Sequence, residues 1–399
     1  MPVNRERALA VMREHRLDAI VTMTPENMTY LTDFPMLHGC LAETKVYVVF
    51  PAAADQQPSM VIPRNSVDML TSSSCRVEEL WLHGNFFLFE SEGLKPEGLT
   101  AEERRLHAAL RSPYRRTDHE ALLACLESKG LAAGRIGFDE KALASPEVFD
   151  QFEALLPKAE VFPAYRILRK IRMVKTAEEL RRMRVAVKAN EAGAAAVFAA
   201  AKVGLPEHDM ALAYHEAIQK AGALPHHLSI GCGRRAGFPN GEPTEYRLQA
   251  GDVIRFDADC HHQSYFSDMA RNAVVGSPSP KLKSYHGAVV AGLEAAAAAM
   301  RPGAKVSEVF RVSVDAVRKA GIPHYDRHHV GHALGVVCYD DPLIGPNDPT
   351  VLEEGMVINI ETPYYEVGFG GAHVENTFLI TTSGCEPLQT MRLALQQVG

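Results

Sequence analysis

Paired cysteines, tryptophan and long apolar runs are all missing or scarce in this chain of 399 residues. The seven cysteines (40, 75, 125, 232, 260, 338 and 385) are scattered, odd in number and without a C-x-x-C pair. That pattern excludes a disulfide framework and a thiolate zinc site, and the cysteines read as reduced thiols. Cys260 and Cys338 fall beside residues singled out below, and both read as small buried side chains. Trp appears once. No apolar run approaches the length of a membrane-spanning helix. A basic surplus is also lacking: the formal net charge is −7, which argues against nucleic acid as a partner. The first residues run straight into an amphipathic helix with no secretory apolar region, so the expected location is the cytoplasm.

What is present describes a soluble globular protein. Hydrophobic residues make up 46% and charged residues 23%, and the length gives room for two domains, each with its own core. Residues 5–16 have helical periodicity, 18–22, 45–50, 59–62 and 135–138 read as strands, and 121–129 reads as a helix stopped by Gly130. This alternation predicts a small α/β domain over residues 1–165 that has no phosphate-binding glycine loop. Residues 83–117 read as an irregular, charged surface excursion. The basic run within 166–176 reads as a solvated linker, and a second domain is expected over 177–399.

That second part contains a diverged internal repeat. L-Q-A-G-D-V-I-R-F-D, ending at Asp257, lines up with L-E-E-G-M-V-I-N-I-E, ending at Glu361, at an offset of 104 residues. Each copy is a Gly-led turn, a β-rich run and a terminal carboxylate. Each is followed by a second strand with a further carboxylate, Asp268 in one and Glu375 in the other. Helical stretches precede both copies (177–202 and 207–221; 280–301 and 306–320), with Gly204 and Gly303 at the matching breaks. The expected architecture is a pseudo-twofold sheet covered by helices.

Four convergent carboxylates would repel one another unless neutralised, and a pair of divalent cations removes that problem. His332, between Gly331 and Gly335, adds one imidazole. Four acids and one histidine form an oxygen-rich donor set that suits Mn²⁺ best, with Fe²⁺, Co²⁺ or Zn²⁺ as alternatives. Two such ions can hold a bridging hydroxide as nucleophile and polarise a carbonyl. Asp259, two residues from Asp257 on a strand, faces the same side and reads either as an added ligand or as a solvated turn residue.

These motifs resemble the creatinase/aminopeptidase P/prolidase group (M24), the pita-bread fold, over nearly the whole chain. Residues 27–34 (N-M-T-Y-L-T-D-F) are similar to its N-terminal domain signature, and 169–180 to its interdomain joint. F-D at Asp257, S-D-M-A-R at Asp268, G-H at His332, N-I-E at Glu361 and V-E at Glu375 are similar to its metal motifs. The resemblance implies a creatinase-like α/β domain followed by a pseudo-twofold pita-bread catalytic domain. It also implies a dinuclear site with Asp257 and Glu375 shared between the ions, Glu361 as a partner in proton transfer, and a homodimer. The implied activity is hydrolysis of an amide bond in a small peptide or amide-like substrate, as in Xaa-Pro peptidases.

Around the metal motifs the chain departs from the peptidase pattern. Asn240 stands where those enzymes have a His before the first metal Asp, and Tyr339 where they have a His after the metal His. His373 replaces an Arg two residues before the last Glu, and Asp259 replaces a Gly, while His328, four residues before His332, is kept. Two alternatives therefore stand beside the peptidase. One is a non-peptide C–N hydrolase or metal-dependent lyase, as in creatinase-, ectoine-hydrolase- and dimethylsulfoniopropionate-lyase-like relatives, the D-x-D of Asp257 and Asp259 resembling the lyase branch. The other is a non-enzymatic binding module, against which the intact donor set weighs.

Overall fold

The computed structural model describes residues 2–35, 45–139 and 146–399. Cys40 lies outside the described residues, and the other six cysteines are all free thiols. The chain falls into two compact units, Met1–Arg172 and Met173–Gly399.

The first unit is a mixed sheet flanked by helices. Its strands are β1 (Ala19–Thr22), β2 (Tyr47–Pro51), β3 (Ser59–Pro63), β4 (Glu79–His83), β5 (Arg135–Asp139) and β6 (Glu160–Pro163), in the order β4-β3-β2-β1-β5-β6. Strand β1 pairs antiparallel with β2 and parallel with β5. The helices are α1 (Arg5–Glu14), α2 (Pro25–Thr32), α3 (Met69–Ser72), α4 (Ala101–Ala109), α5 (Asp118–Ser128), α6 (Pro146–Leu155) and α7 (Tyr165–Arg172). Val21, Val49, Val61 and Phe138 from the sheet pack with Leu122, Cys125 and Leu126 of α5. Trp81 lies on β4, partly buried, with its indole N–H donating to Glu79 Oε1.

Two stretches differ from the sequence expectation. The excursion 83–117 contains α4, opened by a capping box in which Thr100 and Glu103 satisfy each other's backbone N–H. That S/T-x-x-E signal is legible in T-A-E-E but was submerged by the surrounding charge. The basic run read as a solvated linker begins as a helix: α7 buries Ile167, Leu168, Ile171 and the whole of Arg172, whose guanidinium donates to Asn27, and turns its remaining charges outward.

The second unit carries the repeat in two separately hydrogen-bonded sheets. Helices α8 (Ala177–Ala200) and α9 (Glu207–Lys220) precede β7 (Leu224–Cys232), β8 (Val253–His262) and β9 (Tyr265–Val275). Helices α10 (Pro280–Ala299) and α11 (Val306–Ala320) precede β10 (Gly331–Ala333), β11 (Asp340–Leu343) and β12 (Val357–Glu361). The short hairpin β13 (Tyr364–Glu366) and β14 (Gly370–Ala372) follows, then β15 (Glu375–Ile380), β16 (Cys385–Pro387) and β17 (Gln396–Val398). Strand orders are β17-β9-β8-β7 and β11-β10-β12-β15-β16. The same backbone contacts recur in both copies: Gly204 N–H donates to Leu248 O as Gly303 N–H does to Leu352 O, both glycines at φ +86°. Gly251 N–H meets Val275 O as Gly355 N–H meets Ile380 O. Apolar cores fill the space under each helix pair, around Tyr214, Phe256 and Met269 in one copy and Val289, Val317 and Ile360 in the other. The polar face of each hairpin is left for the acids. No described helix is long and apolar enough to cross a membrane.

Candidate metal centre

Strand register decides which carboxylates meet. Glu361 on β12 lies directly opposite Glu375 on β15. On the other hairpin Asp268 lies opposite Asp259, while Asp257 faces Ala270. The second strands of the two copies are therefore shifted by two residues relative to each other, and the first hairpin presents three acids on one face, not two. Buried polar groups tie the two hairpins together. Arg271 of β9 donates to Glu375 O and Asn376 Oδ1, both at 2.7 Å, and the Asn272 side chain clamps the backbone of His373. Gln389 and Thr377 both donate to Asp268 O.

These ties bring four of the five expected ligands into direct proximity. One oxygen or nitrogen each from Asp268, His332 and Glu375 lie within 4.8 Å of one another, as do those of Glu361, His373 and Glu375. A third such group is Asp259, Asp268 and Cys338. Asp257 lines the same cavity, of about 370 Å³, but its Oδ2 is engaged by Arg255 Nη1 at 3.0 Å and stands 3.3 Å from His373 Nδ1.

Electrostatics mark the cluster as strained without a counter-charge. Burial, then the neighbouring carboxylates, push the acids of Asp268 and Glu375 well above the ordinary range. Asp257 goes the other way: burial opposes its ionisation, but His373 and Arg255 hold it below the usual carboxylate value. Burial lowers the pKa of the His332 imidazole, against the pull of Glu361, and so favours its neutral form. The ring's Nδ1 sits 3.0 Å from Ala333 O, so the fitting tautomer places the lone pair on Nε2, 3.7 Å from Asp268 Oδ2. His332 Nε2, Glu361 Oε1, Glu375 Oε2 and both ring nitrogens of His373 are buried without a hydrogen-bond partner. Unsatisfied lone pairs of this kind, on residues 0–5% exposed, fit a divalent cation. Glu375 Oε1 is in turn fixed by Asn359 Nδ2 at 2.5 Å, itself held by Thr377.

The remaining expected site residues divide. Asn240 is exposed and lines the cavity. Tyr339 lines it as well, half-exposed, with its ring stacked on His332 at 3.6 Å between centroids. His373 stands among Asp257, Glu361 and Glu375. Asp259 is buried, accepting from His226 Nδ1 at 2.6 Å and His227 N–H at 3.2 Å. His328 is exposed; its neighbour His329 is buried, with Nδ1 3.2 Å from Glu361 Oε1. Two adjacent histidines on an extended segment face opposite ways, and the sequence does not say which one turns inward. Sequence reasoning also missed Arg327, whose Nη2 lies 3.2 Å from Glu361 Oε2, and the buried Arg255. Arg255 precedes a ligand by two on the same strand face, a spacing that would have found it.

Residues 181–382 match metallopeptidase family M24, and residues 4–174 match the creatinase/prolidase N-terminal domain. The chain is 31% identical over 227 residues to the Xaa-Pro dipeptidase of Pyrococcus furiosus, covering 56% of this chain and 64% of that protein. It is 26% identical over 261 residues to an uncharacterised peptidase of Bacillus subtilis, covering 65% and 73%. The prolidase from Pyrococcus horikoshii shares the fold with a TM-score of 0.76 over 98% of this chain and 99% of that one, at 22% identity. The Xaa-Pro dipeptidase from Bacillus anthracis does so with a TM-score of 0.78 over 99% of both, at 20% identity.

Proposed function

The chain belongs to metallopeptidase family M24, and on that premise we propose that it hydrolyses an amide bond in a small peptide or amide-like substrate at a pair of divalent metal ions. The observation that carries this reading is the convergence of orphaned, buried donor atoms on His332, Glu361 and Glu375 with Asp268, the three acids lining one cavity. Asp257, Asp268, His332, Glu361 and Glu375 would hold the ions, with Mn²⁺ the expected metal. When bound, the ions supply an activated water and a Lewis acid for the scissile carbonyl. Glu361, flanked by His329 and Arg327, would accept a proton during hydrolysis and pass it on to the leaving nitrogen. The protein is expected to act in the cytoplasm as a homodimer.

Substrate preference follows from what surrounds the acids. A strict dipeptidase needs a forked cation for the free carboxylate of its substrate. His373 stands at that place, with its nitrogens directed at Asp257, Glu361 and Glu375 and so at the cluster itself. Asn240 and Tyr339 donate without shuttling protons as imidazole does. Free Xaa-Pro dipeptides are therefore expected to turn over at least tenfold more slowly than the best substrate. The measurement is kcat/KM of the Mn²⁺-loaded protein on Xaa-Pro dipeptides, longer Xaa-Pro peptides and non-peptide amides. Ala-Pro or Met-Pro emerging as the best substrate, at rates normal for a prolidase, would overturn this.

The second reading, a non-peptide C–N hydrolase or lyase, is favoured by one observation: Asp259 is buried against Asp268. Asp259→Asn is expected to weaken metal retention by about tenfold. The check is metal content after dialysis against a competing chelator. Unchanged content and rate would reduce Asp259 to an acceptor for His226.

A further inference from the structure

Cys232 and Cys260 lie within the apolar core beneath α8 and α9. Cys338 does not. It sits in the turn between β10 and β11, lines the cavity of the metal centre, and donates its thiol to Asp268 Oδ2 at 3.3 Å. Cys338 is 8% exposed, and Asp259 and Asp268 are each 6% exposed. Asp268 Oδ2 is thus approached from two directions, by Cys338 Sγ at 3.3 Å and by the unpartnered Nε2 of the fully buried His332 at 3.7 Å.

Those two spacings are informative. Ligands bound to one tetrahedral ion at about 2.0 Å (N, O) and about 2.3 Å (S) stand roughly 3.3–3.6 Å from each other. Cys338 Sγ and Asp268 Oδ2 already stand nearly as far apart as two donors to one cation. Asp259 completes the set, its carboxylate within 4.8 Å of both Asp268 and Cys338. The thiol thus lies against two buried acids and outside the apolar core that holds Cys232 and Cys260.

We propose that Cys338 is a metal ligand, so that an ion held by Asp259 and Asp268 with Cys338 sits in a mixed oxygen and sulfur site, while the position between Glu361 and Glu375 remains all oxygen and nitrogen. The inference rests on the metal-centre reading above. Binding forms an Sγ–metal bond and releases the thiol proton to solvent, with no change of oxidation state. A soft donor tilts this position from Mn²⁺ toward Zn²⁺, Co²⁺ or Fe²⁺, and makes the two positions inequivalent in metal preference.

Cobalt distinguishes the possibilities optically. Metal-free protein titrated with Co²⁺ under reducing conditions is expected to develop visible ligand-field bands from oxygen and nitrogen donors, together with a near-ultraviolet sulfur-to-cobalt charge-transfer band. Cys338→Ser is expected to keep the first and lose the second. It should also bind Cd²⁺ about tenfold more weakly, with Mn²⁺ affinity changed by no more than about threefold. The shared ligand-field bands show that the variant is folded at the site. A charge-transfer band that survives in Cys338→Ser, or that never appears in the wild type while the ligand-field bands do, overturns the assignment of Cys338 and leaves the metal centre intact. Absence of any cobalt spectrum in both proteins defeats the centre and the cysteine together.

Discussion

His332→Ala is expected to lower kcat/KM by about a hundredfold or more, a loss of roughly 3 kcal/mol or more in transition-state stabilisation. The imidazole is fully buried, and with Nδ1 directed at the Ala333 carbonyl its Nε2 is left as a free donor among carboxylates. No other imidazole nitrogen lies within 4 Å of Asp268 among the described ion pairs, so truncation removes that donor without a local substitute. Glu361→Ala should have an effect of the same order, because it removes both a ligand and the partner of His329 and Arg327. Both variants should remain folded by circular dichroism, and in Glu361→Ala relief of carboxylate repulsion partly offsets the lost contacts. Chelation of the wild type should reproduce the loss, and Mn²⁺ should restore activity. Full turnover by protein shown by elemental analysis to be metal-free would sink the metal reading, and wild-type rates in either variant would sink the ligand assignment.

The second large effect is on stability. Gly331→Ala is expected to cost about 3 kcal/mol or more. Gly331 holds φ +145°, and a Cβ there would stand 2.0 Å from Asn359 O and 3.0 Å from Ile360 Cα. The obstacle is the backbone of β12, pinned on its other side by β15, so it cannot swing aside as a flexible side chain would. Any relief by moving β12 would displace Glu361 and the Asn359 amide that fixes Glu375. The variant should thus combine a lower denaturation midpoint with poorer metal retention. An unfolding free energy within about 0.5 kcal/mol of wild type would show that the strands separate more easily than this packing implies.

Much of this arrangement was legible in the amino acids because it is written twice. The repeat ending at Asp257 and Glu361 identified two hairpins, and the elements found before and within them follow the expected order. The register was not legible. Whether Asp268 faces Asp257 or Asp259 depends on a two-residue turn, Gln263 and Ser264, that takes positive φ at non-glycine residues, and nothing in the repeat signals that difference. The inward choice of His329 over His328 has the same origin, since adjacent residues on extended backbone point opposite ways and tertiary packing selects between them. In the first unit, α4 and α7 were hidden by charge: α4 carries enough Glu and Arg, and α7 enough Arg and Lys, to look solvated, and only the spacing of Ile167, Leu168 and Ile171 marks the buried stripe of α7.

Trp81 gives the molecule an optical asymmetry. It is the one tryptophan of the chain and belongs to β4 of the first unit. Indole emission therefore reports the melting of that sheet, while far-ultraviolet ellipticity sums over both units. If metal binding stabilises only the second unit, as linkage requires of a ligand confined to it, ellipticity should melt later with added metal while the emission transition stays where it was. A single wavelength pair would then separate the two unfolding reactions in one sample, with no label introduced.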